Sequence, residues 1–154
     1  MQKETTIEIL NDLIAINNDR VEGYEKAVKE LEGKDPELNM LFNNNAAQSR
    51  GYSEKLRQYV KELGGDAETG TTNRGKVYRV WMDIRSSIAS DKTISALNLC
   101  EFGEDAAQKA YEDALKDQKE VEPAVYRVIM DQKASLKDAH DHIKVMRDKR
   151  EMVS

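Results

Sequence analysis

The segment "TTIEILNDLIAINNDRVEGYEKAVKELE", residues 5–32, carries apolar side chains at intervals of three or four residues along most of its length. This spacing places them on one face of an α-helix that starts at Thr5 or Thr6, either of which can act as the N-cap, and that ends at Gly33. The apolar positions are Ile7, Leu10, Leu13, Ile14, Val21, Tyr24, Val28 and Leu31. Because a single long helix cannot bury such a face alone, the segment predicts a helical bundle.

Four more segments repeat this periodicity. Asp35 and Pro36 supply an N-cap and a first-turn proline, which predicts that a second long helix begins there. Ser90 or Asp91 can cap a later helix in the same way. The further helices are predicted over residues 36–63, 76–89, 91–117 and 122–150.

The middle connection is long and contains the shortest of these helices. Residues 64–75, "GGDAETGTTNRG", are rich in turn-forming residues, and the short helix 76–89 follows them. A crossover that runs the length of a bundle needs a connection of this kind. The sequence therefore predicts an all-α fold. We expect a single domain, residues 1–154, that forms an antiparallel four-helix bundle with a short extra helix on the crossover.

The charge and cysteine content limit the classes of partner. The chain has 29 acidic and 24 basic residues, and this excess of negative charge disfavours binding to nucleic acid or to an anionic membrane surface. The single cysteine, Cys100, cannot form an intramolecular disulfide, which is typical of a reducing compartment. Because the sequence has no apolar stretch as long as a bilayer span, we expect a cytoplasmic protein that does not bind membranes.

Polar residues interrupt the apolar stripe near the middle of every long helix. They are Asn17 in the first helix, Asn45 and Ser49 in the second, Glu101 and Glu104 in the third, and Gln132 and His140 in the fourth. An unpaired polar group costs about 1–3 kcal/mol when it is buried, so these residues need partners. One explanation is a metal site in the bundle core, and another is a hydrogen-bonded network that fixes the helix register.

Four segments carry a resemblance to a known fold family. They are "LNDLIAINNDRVEGYEKA" at residues 10–27, "WMDIRSSIA" at 81–89, "CEFGEDAAQKAYEDAL" at 100–115 and "AHDHIKVMRDK" at 139–149. On these segments the chain resembles the ferritin-like superfamily, and most closely an uncharacterised bacterial branch of small four-helix-bundle proteins sometimes linked to stress responses. Rubrerythrins and bacterioferritins are relatives in this superfamily. The resemblance implies a four-helix bundle.

The same resemblance implies where iron ligands would stand. Metal-binding members place a Glu on each of two helices and a Glu-x-x-His motif on each of the other two. Glu101, Glu104 and His140 match ligand positions and would be the remnant of a metal site. The other positions fall on Asn17, Ser49, Tyr52 and Lys137, none of which supplies the expected carboxylate or imidazole.

Two interpretations follow from this partial match. In the favoured one the protein is a non-catalytic bundle with a structural or interaction role and no cofactor, and Lys137 pairs with Glu101 or Glu104. Its polar core network comprises Asn17, Ser49, Tyr52, Glu101, Glu104, Lys137 and His140. In the alternative the protein is a divergent iron or manganese protein of the storage or oxidoreductase type. That protein would recruit Asp19, Glu22 or Glu25 in a shifted register.

The role of Trp81 on the short helix has two interpretations. With Val77, Tyr78 and Val80 it forms an apolar face on the short helix. This face can cap the bundle, or it can form the contact of a homodimer, because aromatic anchors are enriched at interfaces. The expected partner is a second copy of the chain.

Overall fold

A computed structural model describes residues 2–72, 75–116 and 121–153 of the chain. These described residues form five α-helices and contain no β-strand, which confirms the all-α class. The helices are α1 (Gln2–Leu31), α2 (Pro36–Glu62), α3 (Lys76–Ala89), α4 (Thr93–Leu115) and α5 (Pro123–Met152). The predicted end of the fourth helix at residue 117 lies outside the described residues.

The structure confirms the predicted N-cap of α2, but it does not confirm those of α1 and α4. Asp35 caps α2, and its side chain accepts a hydrogen bond of 3.2 Å from the backbone N–H of Leu38. Neither Thr5 nor Thr6 is an N-cap, because α1 already begins at Gln2 and both threonines lie inside the helix.

The predicted cap of α4 is also wrong. Ser90 is the C-cap of α3, and its backbone N–H bonds to the carbonyl of Ser86. Asp91 has a φ of +59°, in the left-handed region, so it turns the chain sharply before Thr93 starts α4. The two helices are therefore joined by a tight turn and not by a side-chain cap.

Two apolar clusters fill the interior, and polar residues lie between them along the helices. In α1, Leu10, Leu13 and Ile14 belong to one cluster, while Tyr24 and later residues belong to the other. The α1 helix packs against α2, α3 and α4, and α5 packs against α4 and α2. The long helices thus share one core that is divided by a polar layer.

The short helix α3 is attached to the rest of the fold through Trp81. The indole is 1% exposed, and it packs edge-on against Tyr24 with the ring centroids 5.0 Å apart. A Cβ added to Gly23 or Gly103 would lie within 2.8 Å or 2.6 Å of the indole, so the ring rests directly on the backbones of α1 and α4. Trp81 is therefore an interior packing residue, which agrees with the alternative that it covers the bundle core and not with the alternative that it forms a dimer contact.

Polar side chains of α1 hold the connection that precedes α3. The connection therefore lies along that helix. The contacts are Asn11 with the carbonyl of Asp66 (3.0 Å) and the N–H of Glu68 (2.9 Å), Asn18 with the carbonyl of Gly70 (2.8 Å), and Asp19 with the N–H of Thr72 (2.8 Å). No helix in the described ranges combines the length and the apolar character that a bilayer span requires.

Candidate functional site

The centre of the polar layer is a salt bridge between α1 and α4. Neither the Arg20 nor the Glu104 side chain is exposed to solvent. The Nε of Arg20 donates to Oε1 of Glu104 at 2.9 Å, and its Nη2 donates to Oε2 at 2.9 Å. This two-point geometry is the strongest way in which a guanidinium binds a carboxylate. The hydroxyl of Tyr24 donates a further hydrogen bond of 2.6 Å to Oε2.

The remaining donors of the guanidinium point to α2. The Nη1 atom of Arg20 donates to the carbonyl of Asn45 at 3.1 Å, to Oε1 of Gln48 at 2.8 Å and to Oγ of Ser49 at 2.9 Å. One side chain of α1 therefore binds α2 and α4 at the same time. A fully buried charge is tolerated only with such complete pairing.

The hydrogen bonds continue from Ser49 to the fourth long helix. Ser49 Oγ donates to Oδ1 of Asn17 at 2.9 Å, and Nδ2 of Asn17 donates to the hydroxyl of Tyr111 at 2.8 Å. That hydroxyl in turn donates to Oε1 of Gln132 at 2.6 Å. The network therefore joins α1, α2, α4 and α5 in one chain of bonds. We call these residues the buried polar layer: Asn17, Arg20, Tyr24, Gln48, Ser49, Glu104, Tyr111 and Gln132.

Burial and the Glu104 charge set the protonation states in this layer. Burial, and next the charge of Glu104, raise the pKa of the Tyr24 hydroxyl well above its ordinary value. The same two causes raise the pKa of the Cys100 thiol. Burial lowers the pKa of Arg20, but the charge of Glu104 and the hydrogen bond to it, together with Tyr24 and Tyr52, outweigh this effect, so the pKa is raised. The layer is thus one cation paired with one anion, beside a phenol and a thiol that keep their protons.

The structure brings together only part of the predicted network. Asn17, Ser49 and Glu104 belong to the buried polar layer as predicted. Tyr52 is half-buried, and no hydrogen bond within the described residues joins it to the layer. Two further stripe positions, Asn45 and Gln132, are also buried as predicted.

Lys137 does not neutralise the α4 carboxylates, so its predicted pairing with Glu101 or Glu104 is wrong. Its side chain is 63% exposed and binds Asp141, one turn further along α5, at 3.1 Å. The outer face of α5 carries Lys137, whereas Leu136 points into the core. The register of α5 therefore places the ammonium in solvent, where it needs no buried partner.

His140 and Glu101 also have partners outside the layer. The Nε2 of His140 lies 2.7 Å from a carboxylate oxygen of Asp105, and its Nδ1 lies 3.0 Å from Asp141. Oε1 of Glu101 accepts a hydrogen bond of 2.9 Å from Arg147. Glu101 therefore lies in an ion pair, and His140 in close contact with two carboxylates, on the seam between α4 and α5.

The described side chains do not fit a di-iron centre. Such a centre needs carboxylates and imidazoles that converge on two metal ions. Here Glu101, Glu104 and His140 each bind a different partner, and the cation beside Glu104 is a guanidinium. The described residues contain no group of three or more His, Cys, Asp or Glu side chains that could hold a metal ion.

Sequence reasoning missed Arg20, which is the central residue of the layer. Its position carried a signal, because Leu13, Asn17, Arg20 and Tyr24 succeed one another at steps of three and four along α1. Arginine is rarely buried without a partner, so the periodicity alone did not identify it as an inward residue. Its partner Glu104 lies 84 positions away in the chain.

Two grooves border the layer. One groove of about 630 Å³ runs between α1, α4 and the connection before α3, and its floor is apolar, with Leu13 and Ala114 among its lining residues. A second groove of about 260 Å³ between α2 and α5 is lined by Tyr52 and reaches Gln132. The layer therefore meets the surface near its α5 end, whereas the ion pair is enclosed.

A match to a known protein family covers most of the helices described above. A family model described as "Domain of unknown function (DUF2383)" matches residues 5–117, which include most of α1 and all of α2, α3 and α4. Both residues of the ion pair, Arg20 and Glu104, lie within the match, whereas Gln132 lies beyond it. None of the curated proteins compared with the chain matches it. The match covers more than half of the chain, and the protein belongs to the DUF2383 family.

Proposed function

We propose that the protein is a non-catalytic bundle with a structural or interaction role, and that a salt bridge replaces the metal of its ferritin-like relatives. The antiparallel four-helix arrangement belongs to this proposal. It is supported by contacts that run in opposite directions along α1 and α2. The ring of Tyr24 packs at a tilt against that of Phe42, with the ring centroids 5.2 Å apart, and the earlier Asn18 accepts a hydrogen bond of 3.0 Å from the later Ser53.

The contacts between α4 and α5 support the same arrangement. Glu101, early in α4, binds Arg147, late in α5. Tyr111, late in α4, binds Gln132, early in α5. Two antiparallel pairs joined by a crossover are the topology of the ferritin-like bundle.

The observation that carries the proposal is the pairing of Arg20 with Glu104. In a di-iron protein the positive charge in such a layer comes from the metal ions, and the carboxylates neutralise it. Here a guanidinium supplies the positive charge, and it is covalently fixed to α1. A divalent ion at Glu104 would have to displace Arg20 and leave that cation buried without a partner, which costs several kcal/mol.

A buried network of this kind suits a structural or interaction protein. Because its hydrogen bonds are satisfied only in one helix register, it opposes sliding of one helix against another. The bundle can then present a fixed outer surface to a partner. We include a homodimer in the proposal, since a second copy is the simplest partner for such a surface.

A thermal-shift series with Mn²⁺ and Fe²⁺ tests this function. We expect the melting temperature to stay the same with either ion, in the wild type and in Glu104→Gln alike. For the same reason, a double-mutant cycle between Arg20 and Glu104 should give a large coupling energy. A rise in melting temperature with metal that Glu104→Gln abolishes would disprove the proposal. Asp66→Asn, on the exposed connection, is the control for nonspecific binding.

One observation favours the alternative of a divergent metal protein. The Oε2 atom of Glu101 is buried, and no described residue forms a hydrogen bond with it. A single divalent ion could satisfy that oxygen, as the metal-binding interpretation requires. This alternative predicts a metal-dependent rise in melting temperature that Glu101→Gln removes, while Glu104→Gln leaves it in place.

A further inference from the structure

The buried polar layer ends in an amide donor that no described side chain uses. The hydroxyl of Tyr111 donates to Oε1 of Gln132 at 2.6 Å, which orients the amide and directs its Nε2 away from that hydroxyl. Gln132 is 4% exposed, and its Nε2 forms no hydrogen bond with any described residue. A donor in this position is costly when it has no partner, so it needs an acceptor from outside the chain.

The unused donor belongs to the floor of the groove between α2 and α5. Gln132 is the only buried residue among the described residues that line this groove, so it lies deepest. The volume of about 260 Å³ is below the roughly 300–1,000 Å³ of sites for drug-sized ligands, so an occupant must be small. The lining residues are Tyr52 and Lys55 of α2 and Val128, Asp131, Gln132 and Ser135 of α5.

The direction of the hydrogen bonds in the layer favours a negative group at this floor. The bonds are donated from Arg20 to Ser49, from Ser49 to Asn17, from Asn17 to Tyr111 and from Tyr111 to Gln132. Hydrogen bonds aligned in one direction strengthen one another. The chain of bonds therefore starts at the cation of Arg20 and ends at a polarised N–H group, which binds an anionic acceptor better than a neutral one.

Two hydroxyl groups in the wall of the groove can add to this acceptor site. Tyr52 and Ser135 are half-buried, and neither hydroxyl forms a hydrogen bond within the described part of the chain. Tyr52 lies near the floor, because after burial it is one of the groups that raise the pKa of the Tyr111 hydroxyl. A carboxylate accepts several hydrogen bonds at its two oxygens, so it can satisfy the amide and the hydroxyls together.

Two opposite charges at the rim of the groove define the rest of the ligand. Lys55 and Asp131 are exposed, and neither forms an ion pair with a residue that the structure describes. The Nζ atom of Lys55 lies 5.6 Å from the ring centroid of Tyr59, an exposed contact that it can exchange for a charged partner. A ligand of one sign would be repelled by one of the two charges, whereas a zwitterion matches both.

We propose that the groove between α2 and α5 binds a small free α-amino acid, whose carboxylate accepts a hydrogen bond from Nε2 of Gln132 and whose ammonium group lies against Asp131. Lys55 attracts the carboxylate from the rim, and Val128 offers an apolar contact to a small side chain. A peptide carries its ammonium and carboxylate groups at opposite ends, so two adjacent charges select the free amino acid. The inference goes beyond the proposed function, and it does not depend on whether the interior holds metal.

Nuclear magnetic resonance titration with L-alanine tests the site, with propionate and ethylamine as probes that carry only one of the two charges. The side-chain amide signal of Gln132 should shift and saturate with L-alanine. Because the ligand is small and the groove is open, we expect a dissociation constant of about 0.1–1 mM. Propionate and ethylamine should each bind about fivefold more weakly or worse, since each leaves one rim charge unmatched.

Substitutions at the rim separate the two charges of the ligand. Asp131→Asn should weaken L-alanine about fivefold and strengthen propionate, because it removes an attraction in one case and a repulsion in the other. Lys55→Gln should weaken both probes. Asp138→Asn on α5 and Lys61→Gln on α2 are the matched controls, since both residues are exposed and lie outside the groove, and they should bind like the wild type.

Gln132→Glu tests the donor at the floor. The variant keeps an oxygen to accept from Tyr111, but it replaces Nε2 by a second oxygen, so binding of L-alanine should be lost. The rim variants change only exposed side chains, so they test the site even if Gln132→Glu does not fold. Shifts with L-alanine that do not saturate by about 10 mM, equal binding of propionate and L-alanine, or unchanged binding in Asp131→Asn would each overturn the proposal.

Discussion

The guanidinium of Arg20 lies 2.9 Å from the carboxylate of Glu104, and neither side chain has any exposure to solvent. The pair joins α1 to α4, and through Ser49 the guanidinium also binds α2. Buried ion pairs add little stability when compared with apolar residues of the same volume. Removing only one partner, however, strongly destabilises the folded protein. The free energies of unfolding of Arg20 and Glu104 variants should therefore be strongly coupled.

Arg20→Met should destabilise the protein by about 3–5 kcal/mol. The variant leaves the Glu104 carboxylate buried without its cation, and it removes three hydrogen bonds to α2. Urea denaturation followed by circular dichroism measures the loss as a lower midpoint at an unchanged slope. Arg50→Met is the control, because Arg50 forms a half-exposed pair with Glu25 and its loss should cost less than about 1 kcal/mol.

The double variant Arg20→Met with Glu104→Leu separates the charge from the packing. Because it removes both ions together, it should recover most of the stability lost in Arg20→Met. If Arg20→Met costs no more than Arg50→Met, or if the double variant is less stable than Arg20→Met, the two residues do not form the buried pair described here.

Gly103→Ala should destabilise the protein by about 1–3 kcal/mol. The added Cβ would lie 2.6 Å from the Trp81 indole, so α3 or α4 must move to accommodate it. Gly51→Ala is the matched control, because a Cβ at Gly51 meets no atom within 4 Å and the residue also lies inside a helix. That variant should gain about 0.5–1 kcal/mol from the better helix propensity of alanine. Equal effects of the two substitutions in thermal denaturation would rule out the close contact with Trp81.

Asp35→Asn should remove a pH-dependent part of the stability. Partial burial raises the pKa of Asp35, but the hydrogen bonds from Arg150 and from the Leu38 N–H, together with the charge of Arg150, outweigh this effect and hold the pKa below its ordinary value. A carboxyl whose pKa is lowered by folding stabilises the protein above its unfolded pKa of about 4, and this contribution disappears as the pH falls through the folded value. Asparagine keeps the N-cap of α2, so the substitution isolates the ion pair.

The expected difference between wild type and Asp35→Asn is about 1 kcal/mol at neutral pH, because both Asp35 and Arg150 are partly exposed. Urea denaturation at several pH values should show this difference shrinking below about pH 4. A difference that stays constant, or one that grows as the pH falls, would show that Arg150 does not lower the pKa of Asp35.

The helices could be predicted from the sequence because each carries apolar residues at helical spacing along most of its length. The Asp35–Pro36 start of α2 was also predictable, since a capping side chain and a first-turn proline act locally. Thr5 and Asp91 failed as start signals because α1 extends beyond the first threonine and the turn before α4 is too tight for a side-chain cap. Boundaries thus depend on neighbouring turns that periodicity does not reveal.

The polar layer could be predicted as a feature, but its ion pair could not. Asn17 and Ser49 interrupt apolar stripes, and such interruptions are visible in the sequence. Arg20 was overlooked in favour of Lys137, because a step of one residue on α5 decides whether a side chain faces the core or solvent. The periodicity of a sequence locates the buried face of a helix only to within about one residue. It therefore could not identify which cation faces Glu104.

Elemental analysis of protein purified without chelators is the most direct test of the proposal that a salt bridge takes the place of the metal. Inductively coupled plasma mass spectrometry would measure iron and manganese per chain in the wild type and in Arg20→Met. We predict far less than one equivalent of either metal in the wild type, because the Arg20 guanidinium holds the Glu104 carboxylate. Two equivalents of iron per wild-type chain would contradict it.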